Sequence, residues 1–190
     1  MADETRDKIV EATKKLIIDR GYTLTTTKDI AKYAGVSEVT IFRKFENKQN
    51  IIKYLLDEIQ NYPELNMSIL DKCTWSLCDD LKMFSNLYFK YVTPDYVKLL
   101  IGLRSPDLFP LIEKYIISIP NSFKEILIKY FSIMYNEKKI SSSDFEACVV
   151  MYMSLNFGYI FMKASFGNDV TNLDVDKYID ESIKIFAKGI

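Results

Sequence analysis

The sequence contains no histidine, the side chain that most often acts as a general acid or base in enzymes. Glycine is scarce as well, with 6 residues in a chain of 190, and none of them forms a glycine-rich loop of the kind that binds phosphates. No serine or cysteine lies in a recognised nucleophile motif. These absences argue against an enzyme and favour a protein that acts by binding.

Cysteine is also rare in this chain. The three residues, Cys73, Cys78 and Cys148, are an odd number and lack the paired spacing of metal ligands. A disulfide scaffold is therefore not expected, and a zinc site would need all three thiolates together with an unusual fourth ligand. We expect no metal and no other cofactor.

The chain has no apolar run that is long enough for a membrane span. Residues 147–162 are uncharged over 16 positions, whereas a span needs about 20 apolar residues. A buried helix is the better interpretation of this stretch. Residues 1–6 are charged and unlike a secretory signal, so we expect a cytoplasmic protein without a membrane partner.

The net charge of −1 lacks the positive excess of many nucleic-acid-binding proteins. The charge is unevenly distributed, because residues 37–53 hold four basic side chains and two acidic ones. Such a modest basic surface predicts a DNA affinity that falls as salt is added. Hydrophobic residues make up 48% of the chain, which is enough for a substantial core.

Strand signals are nearly absent and helix-start and helix-stop residues are frequent, so the sequence predicts an all-α fold of about nine to ten helices. The first helix is predicted over 5–20, with Gly21 as its stop. A longer helix over 47–61 is followed by a loose connection over 62–74. Prolines, Pro120 among them, are expected near helix starts, where this residue is tolerated. The later helices are predicted over 75–93, 95–104, 107–117, 120–136, 144–166 and 174–188.

Residues 26–48 have the pattern of two short helices joined by a tight turn. Thr26 and Asp29 form a capping-box pattern at the start of the first helix. Gly35 falls where the turn needs a left-handed backbone conformation, and Ser37 can cap the second helix. This is the pattern of a helix-turn-helix, which presents its second helix to the major groove of DNA.

The second helix of this pair has two different faces. Ile41 and Phe45 are four residues apart and are predicted to face inward. Exposed residues at the start of a short helix suit contact with base edges, and hydroxyl and lysine side chains suit phosphates. The outward face and its flanks comprise Glu38, Val39, Thr40, Phe42, Arg43 and Lys44.

A longer pattern extends from Thr5 to Ile59. It comprises Arg6, Ile9 and Ala12, then Gly21 and Tyr22, the segment Thr26-Thr27-x-Asp29-Ile30-Ala31-x-x-Ala34-Gly35-Val36-Ser37, Thr40-Ile41-Phe42-x-x-Phe45, and Asn47-Lys48. This pattern resembles the N-terminal domain of TetR-family transcriptional regulators. The rest of the chain resembles that family only in the number, length and order of its helices.

The resemblance implies roles for the matching residues. Glu38, Val39 and Arg43 would approach the bases. Phe42 stands where the family usually has a tyrosine whose hydroxyl commonly reaches a phosphate, so we expect it to make an apolar contact instead. The phosphate contacts would come from Thr26, Thr27, Ser37, Thr40, Lys44 and Lys48.

Simpler structural roles compete at several of these positions. Thr26 and Ser37 can cap their helices in the absence of DNA. Asn47 can cap the next helix, and Lys48 can simply belong to the start of that helix. Glu38 suits the first turn of any helix, because the helix dipole favours an acidic residue there. Nothing about folding requires an arginine at position 43, so Arg43 favours guanine readout or phosphate contact.

A helix-turn-helix protein of this kind needs two DNA-binding domains, or reading heads, about one helical turn of DNA apart, roughly 34 Å. A homodimer is therefore expected. The predicted seam lies on the helices over 144–166 and 174–188, where small residues allow a close approach. The alternative is that both are core helices of a monomer. The seam residues would be Ala147, Ser154, Gly158, Val175, Ile179, Ser182 and Phe186.

The middle helices are rich in aromatic residues and methionine. Single residues of this kind usually belong to the core, but as a set they suit an adaptable apolar cavity. Since TetR-like proteins hold an effector in this part of the chain, the resemblance implies a small, largely apolar effector. The candidate lining residues are Met83, Phe84, Tyr88, Leu103, Phe109, Phe123, Met153 and Phe157.

These interpretations predict two domains. A helix-turn-helix DNA-binding domain covers 1–46, and an effector-binding and dimerisation domain covers 47–190, with the helix over 47–61 as the lever between them. The predicted function is a ligand-responsive transcriptional regulator, a repressor that leaves its palindromic DNA operator when the effector binds. The alternative is a TetR-like helical protein that acts through a protein partner, with weak or no specific DNA binding.

Overall fold

The structure, a computed structural model, describes residues 3–60 and 62–190. Over these residues the chain forms nine α-helices, one 3₁₀ helix and no β-strand, which confirms the all-α fold. The 3₁₀ helix, Met67–Lys72, lies between α4 and α5. The α-helices are α1 (Glu4–Leu24), α2 (Thr27–Ala34), α3 (Glu38–Phe45), α4 (Lys48–Ile59), α5 (Leu77–Tyr91), α6 (Pro94–Gly102), α7 (Phe109–Asn136), α8 (Phe145–Phe166) and α9 (Val175–Ala187).

Helix α1 is capped at its start and interrupted near its end. The Asp3 carboxylate accepts the backbone N–H of Arg6 at 3.3 Å, which caps the helix. Gly21 has φ 81° and ψ 163°, so the regular helix stops there and one more turn leads to Leu24. The predicted stop is confirmed, because glycine adopts a positive φ without the steric cost that other residues meet.

Helices α2, α3 and α4 have the caps that the sequence predicts. The Thr26 hydroxyl accepts the N–H of Asp29, and the Asp29 carboxylate accepts the N–H of Thr26, which completes a capping box. Gly35 ends α2 with φ 68°. The side chains of Ser37 and Asn47 cap α3 and α4.

The connection between α4 and α5 is more ordered than predicted. Residues 62–74 were expected to be a loose connection, but they contain the 3₁₀ helix Met67–Lys72. The Asn66 side chain caps this helix by accepting the N–H of Ser68 at 2.9 Å. Ile69 is buried, as is Leu65 just before the 3₁₀ helix, so the burial of two apolar side chains holds the short segment in place without any long periodic pattern.

The predicted helix start at Pro120 is wrong. Pro120 lies inside α7, so the two helices predicted over 107–117 and 120–136 are one helix. A proline in a helix removes one backbone hydrogen bond and crowds the preceding turn. The buried side chains of Ile119 and Phe123 on either side offset this cost by anchoring the helix in the core.

The chain divides into two compact units that do not follow the order of the sequence. The first unit extends to Tyr62 and includes Lys98–Ile116, and the second comprises Pro63–Val97 and Ile117–Ile190. Two of the three boundaries therefore fall inside α6 and α7, and the third follows Tyr62. The predicted functional division between residues 46 and 47 stays a prediction, and α4 packs with the helix-turn-helix in the first unit.

Aliphatic side chains dominate the core of the first unit. The segment Lys98–Ile116 contributes to the same core as α1–α4. Gly102 makes the closest approach, because a Cβ built at this residue would lie 2.4 Å from the carbonyl oxygen of Ile17. The core residues from the first four helices are Ile9, Val10, Ala12, Ile17, Ile30, Ala31, Ile41, Phe45, Ile51, Ile52, Leu55 and Leu56.

Helix α8 in the second unit buries only one of its faces. Tyr152, Asn156 and Tyr159 are buried, whereas Met151 and Phe161 are 51% and 39% exposed. The expected buried helix is therefore half right, because the opposite apolar face is left open. Among the described residues, α8 is the one helix whose length and composition would allow it to cross a membrane, a test that core helices of soluble proteins also pass.

Candidate nucleic-acid interface

Helices α2 and α3 form a helix-turn-helix with the two faces that the sequence predicts. The turn is closed by the N–H of Val36, which donates to the Ala31 carbonyl at 3.0 Å. Ile41 and Phe45 are buried beneath α3. The opposite side of α3 is open to solvent, since Val39 is 75% exposed, Phe42 is 48% exposed and Arg43 is exposed. This side is the surface that α3 can offer to a groove of DNA.

Arg43 differs from the other polar residues of this surface. Among residues 3–60 and 62–190, no hydrogen bond or ion pair joins its guanidinium to another residue. An arginine offers five N–H donors in a planar fork that matches the acceptors of guanine and phosphate. Arg43 is therefore available to a ligand without breaking any internal contact.

Thr26 is held by the start of α2. Its hydroxyl donates to the Asp29 carboxylate at 2.6 Å, and that carboxylate also lies 2.9 Å from the guanidinium of Arg20. The hydrogen bonds from Thr26 and then the charge of Arg20 hold the pKa of Asp29 below its usual value. The capping role of Thr26 is thus present in the free protein, as its simpler interpretation requires.

Thr27 and Glu38 join the starts of α2 and α3. The Thr27 hydroxyl donates to the Glu38 carboxylate at 2.5 Å. Both residues are half-buried, so this bond fixes the direction of the Glu38 side chain. Sequence reasoning gave the two residues separate roles, because a pair eleven positions apart shows no periodic signal.

Ser37 and Thr40 form the cap of α3. The Ser37 hydroxyl accepts the N–H of Thr40 at 3.1 Å, and the two hydroxyl oxygens lie 2.8 Å apart. Ser37 is exposed and Thr40 is half-buried. Both hydroxyls therefore sit at the solvent side of the start of α3, where the positive end of the helix dipole also lies.

Lys44 and Arg6 link the end of α3 to the start of α1. The Lys44 ammonium lies 2.5 Å from the Asp3 carboxylate, and the Arg6 guanidinium donates to the Lys44 carbonyl at 3.3 Å. The same guanidinium lies over the rings of Phe45 and Tyr54, at 5.5 and 5.6 Å from their centroids. Asp3 was missed by sequence reasoning, because the two charges are 41 positions apart.

Lys48 is engaged inside the first unit. Its ammonium donates to the carbonyls of Tyr22 and Thr25 at 2.8 and 2.7 Å and lies 3.8 Å from the centre of the Tyr22 ring. Burial lowers the pKa of Lys48. Lys48 thus ties α4 to the turn before α2, and a phosphate contact would use its remaining N–H.

The predicted effector-pocket residues fall into both compact units. Leu103 and Phe109 belong to the first, where Leu103 is part of the aliphatic core and Phe109 is 41% exposed. In the second, the rings of Tyr88 and Phe123 meet edge to face with centroids 5.2 Å apart. Phe157 is 46% exposed. The other predicted pocket residues are the buried Phe84 and the half-buried Met83 and Met153.

The predicted dimer-seam residues also separate into two groups. Ile179 and Phe186 are buried, and the Phe186 ring packs on Phe131 and Tyr152 in the core of the protomer. These two side chains have almost no surface left for a partner. Ser154 is exposed, and Ala147, Gly158, Val175 and Ser182 are half-buried. The exposed apolar residues of α8 that sequence reasoning missed are Val150, Met151, Leu155 and Phe161.

Known proteins resemble this chain over its N-terminal part and over its whole length. Residues 9–55 match the model of bacterial regulatory proteins of the tetR family. The HTH-type transcriptional regulator YvkB of Bacillus subtilis strain 168 is 31% identical over 188 residues, which cover 98% of this chain and 97% of YvkB.

Two solved structures share the fold at low sequence identity. NalD, named as the secondary repressor of the MexAB-OprM multidrug efflux pump of Pseudomonas aeruginosa, has a TM-score of 0.70 at 16% identity and covers 100% of this chain and 98% of its own. FadR of Bacillus subtilis, solved in complex with stearoyl-CoA, has a TM-score of 0.68 at 20% identity, over 96% of this chain and 98% of its own. With a full-length relative above 30% identity, a matching family model and a helix-turn-helix, this chain belongs to the TetR family of bacterial transcriptional regulators.

Proposed function

We propose that this regulator binds an operator by placing α3 in the major groove, with Arg43 as its principal base-reading residue. The open side of α3, with Val39, Phe42 and Arg43 exposed above the buried Ile41 and Phe45, is the observation that supports this proposal. Arg43 would donate to guanine, and Val39 and Phe42 would contact thymine methyl groups or sugars. Glu38 would lie beside the bases while Thr27 holds it.

The polar residues around α3 would position the head on the phosphates. The hydroxyls of Thr26, Ser37 and Thr40 lie near the starts of α2 and α3, where the helix dipoles also favour an anion. Thr27 lies in the first turn of α2. Lys44 and Lys48 would add charge, so the affinity is expected to fall steeply with salt.

The regulator would act as a homodimer through the exposed face of α8. The side chains of Val150, Met151, Leu155 and Phe161 are 39–51% exposed on one helix, and contiguous apolar surfaces of this kind usually mark an interaction site. A second copy covers such a face symmetrically and supplies the second reading head that a palindromic operator needs. Ser154 and Gly158 lie on the same helix and would permit a close approach.

The regulated state would be set by a small, largely apolar effector held in the second unit. Its buried aromatic residues suit such a ligand, and the similar proteins NalD and FadR are named as a repressor and as a complex with stearoyl-CoA. We infer a cytoplasmic repressor that the effector releases from DNA. The ligand would shift the population of the dimer by no more than its differential affinity for the two states.

Fluorescence anisotropy tests the DNA-binding function directly. The full chain is titrated into a labelled duplex from the DNA that flanks its gene, and into a mixed-sequence duplex of equal length, at two salt concentrations. Arg43→Ala is expected to weaken binding to the first duplex at least about 10- to 100-fold, which is the range of one good base contact, and by more where the duplex engages both recognition helices of a dimer. The control Lys15→Ala removes an equal charge from the exposed face of α1 and should change affinity less than about threefold.

The control also separates the alternatives. Equal effects of Arg43→Ala and Lys15→Ala would show that Arg43 is not a reading residue. Equal affinity of the wild-type chain for both duplexes, or no binding to either, would contradict the regulator and favour action through a protein partner.

A further inference from the structure

An acidic side chain lies against the end of α3. Asp3, the residue before α1, places its carboxylate 2.5 Å from the ammonium of Lys44. The Lys44 side chain is only 20% exposed, whereas the Asp3 side chain is 43% exposed. The lysine is therefore held against the protein by a carboxylate that itself remains accessible to solvent and to a ligand.

A carboxylate and a phosphodiester are alternative partners for one ammonium group. Both are anions that accept its N–H groups, and the Asp3 carboxylate neutralises the positive charge that would attract a phosphate. If Lys44 turns to a phosphate, Asp3 loses the Lys44 ammonium and is left beside the negatively charged backbone. Both effects oppose DNA binding.

We propose that Asp3 competes with the DNA backbone for Lys44 and thereby limits the affinity of the reading head. The proposal rests on the DNA-binding function proposed above, since it takes Lys44 as a phosphate contact. Asp3 acts through Lys44 and does not need to touch DNA, so it is a positioning residue. The hydrogen bond from Lys44 also lowers the pKa of Asp3, which keeps the competing carboxylate charged at neutral pH.

The contacts around Asp3 and Lys44 distinguish Asp3 from the neighbouring acidic residue. The Arg6 guanidinium lies 3.9 Å from the same Asp3 oxygen and also donates to the Lys44 carbonyl at 3.3 Å. Asp3 is thus held by the Lys44 side chain of α3 and by the main-chain N–H and the guanidinium of Arg6 in α1. Glu4, the next residue, pairs instead with Lys8 of its own helix at 2.7 Å.

Asp3→Asn and Glu4→Gln form a matched pair of variants. Each removes one negative charge from neighbouring positions, and asparagine preserves the cap of α1 because it is as good a capping residue as aspartate. Asp3→Asn should tighten binding to the labelled flanking duplex by roughly threefold for each head, hence up to about tenfold for a duplex that engages two heads. Glu4→Gln should change it by less than about twofold. Asp3→Ser, a second capping residue, should reproduce the result of Asp3→Asn.

A double-variant comparison tests the route through Lys44. In a Lys44→Met background, Asp3→Asn should have no more effect than Glu4→Gln, since the contested ammonium is gone. With Lys44 intact, Asp3→Glu should bind DNA with nearly the wild-type affinity, unlike Asp3→Asn, because a glutamate can still pair with Lys44. A general structural role of residue 3 would not predict either result.

Different results would contradict the competition by Asp3 and the DNA-binding function itself. If the wild-type chain binds the flanking duplex but Asp3→Asn and Asp3→Ser match Glu4→Gln, competition is refuted while DNA binding stands. If the gain persists without Lys44, the route through that lysine is refuted. If neither the wild-type chain nor any variant binds either duplex, the DNA-binding function falls, and the competition falls with it.

Discussion

The two compact units of the chain are built from different kinds of apolar residue. The core of the first unit is made of isoleucine, leucine, valine and alanine, with Phe45 and Tyr115 as its buried aromatic residues. The second unit packs rings against one another, as in the edge-to-face contact of Phe84 with Tyr130 at 5.2 Å. Its buried aromatic residues include Phe84, Tyr88, Phe123, Tyr130, Phe131, Tyr152, Tyr159 and Phe186.

The buried polar groups of the two units differ as well. In the first unit, the hydroxyls of Thr13 and Thr25 donate to backbone carbonyls four positions earlier, at 2.7 and 2.8 Å. In the second, Asp80 accepts hydrogen bonds from the N–H of Thr74 at 2.7 Å and from the hydroxyl of Tyr130 at 2.9 Å. The buried threonines of the first unit thus bond within their own helix or turn, whereas Asp80 of the second unit connects segments that are 50 positions apart.

This difference shows how each unit is specified. Branched aliphatic side chains give the first unit a tight core, and the burial of Ile41 and Phe45 in this core fixes the direction of α3. The second unit depends on a hydrogen-bonded network, in which Tyr152 donates to the Leu81 carbonyl at 2.6 Å and lies 2.7 Å from the Ser85 hydroxyl. Such a network fixes one arrangement only while every member keeps its partner.

The largest expected effect comes from the aliphatic core of the first unit. Ile41→Ala should lower the free energy of unfolding by about 3 kcal/mol, because Ile41 is fully buried and the substitution leaves a cavity. Val39→Ala, on the open side of the same helix, should change it by less than about 0.5 kcal/mol. Urea unfolding followed by circular dichroism measures both. Equal losses would show that the two faces of α3 are not distinguished in solution.

A pair of glycine substitutions compares the units at the same residue type. Gly102→Ala should destabilise the protein by about 1–3 kcal/mol, since its Cβ would lie 2.4 Å from the Ile17 carbonyl oxygen. Gly158→Ala places its Cβ where, apart from the neighbouring residues and the backbone of its own helix, no atom of the described residues lies within 4 Å. It should therefore add about 1 kcal/mol of stability through helix propensity. The melting temperatures of the two variants show whether each substitution destabilises or stabilises the protein.

The oligomeric state extends this comparison. If Gly158→Ala lowers the melting temperature and also dissociates the protein in sedimentation, the glycine serves contact with a second copy. A gain in stability without dissociation would leave the dimer seam on the exposed apolar residues of α8. A neutral Gly102→Ala would contradict the close approach of α6 to α1.

The helix-turn-helix could be predicted in detail because its signals are local. Thr26, Gly35, Ser37 and Asn47 act through backbone atoms a few positions away, and the structure confirms each of these caps or turns. The spacing of Ile41 and Phe45 likewise indicates which side of α3 is buried. What the sequence could not reveal are contacts between distant positions, such as those of Lys44 with Asp3 and of Lys48 with the Tyr22 and Thr25 carbonyls.

The second unit was harder to predict for a physical reason. Helix α8 is apolar on nearly all sides, so periodicity does not indicate which of its residues face the core. In α9, Ile179 and Phe186 recur at helical spacing, which residues of a dimer interface would also show, but both are buried in the core. Pro120 failed as a helix start because the burial of its neighbours outweighed a local rule.

The smallest expected effect concerns a buried tyrosine of the second unit and is measured as a dependence of stability on pH. Burial raises the pKa of Tyr88, so the folded chain keeps this proton above pH 10, where the unfolded chain loses it. The stability from the protonated form is complete below about pH 10 and is lost as the pH rises further, by about 1 kcal/mol at pH 10.5. Urea titrations at pH 7, 9 and 10.5, followed by the fluorescence of Trp75 in the second unit, measure this decline.

Tyr88→Phe removes the titrating hydroxyl but keeps the ring and its contact with Phe123. This variant should lose about 1 kcal/mol less than the wild-type chain between pH 9 and 10.5. If this variant declines as steeply as the wild-type chain, Tyr88 is hydrated in solution and the aromatic core around it is more open than the structure shows.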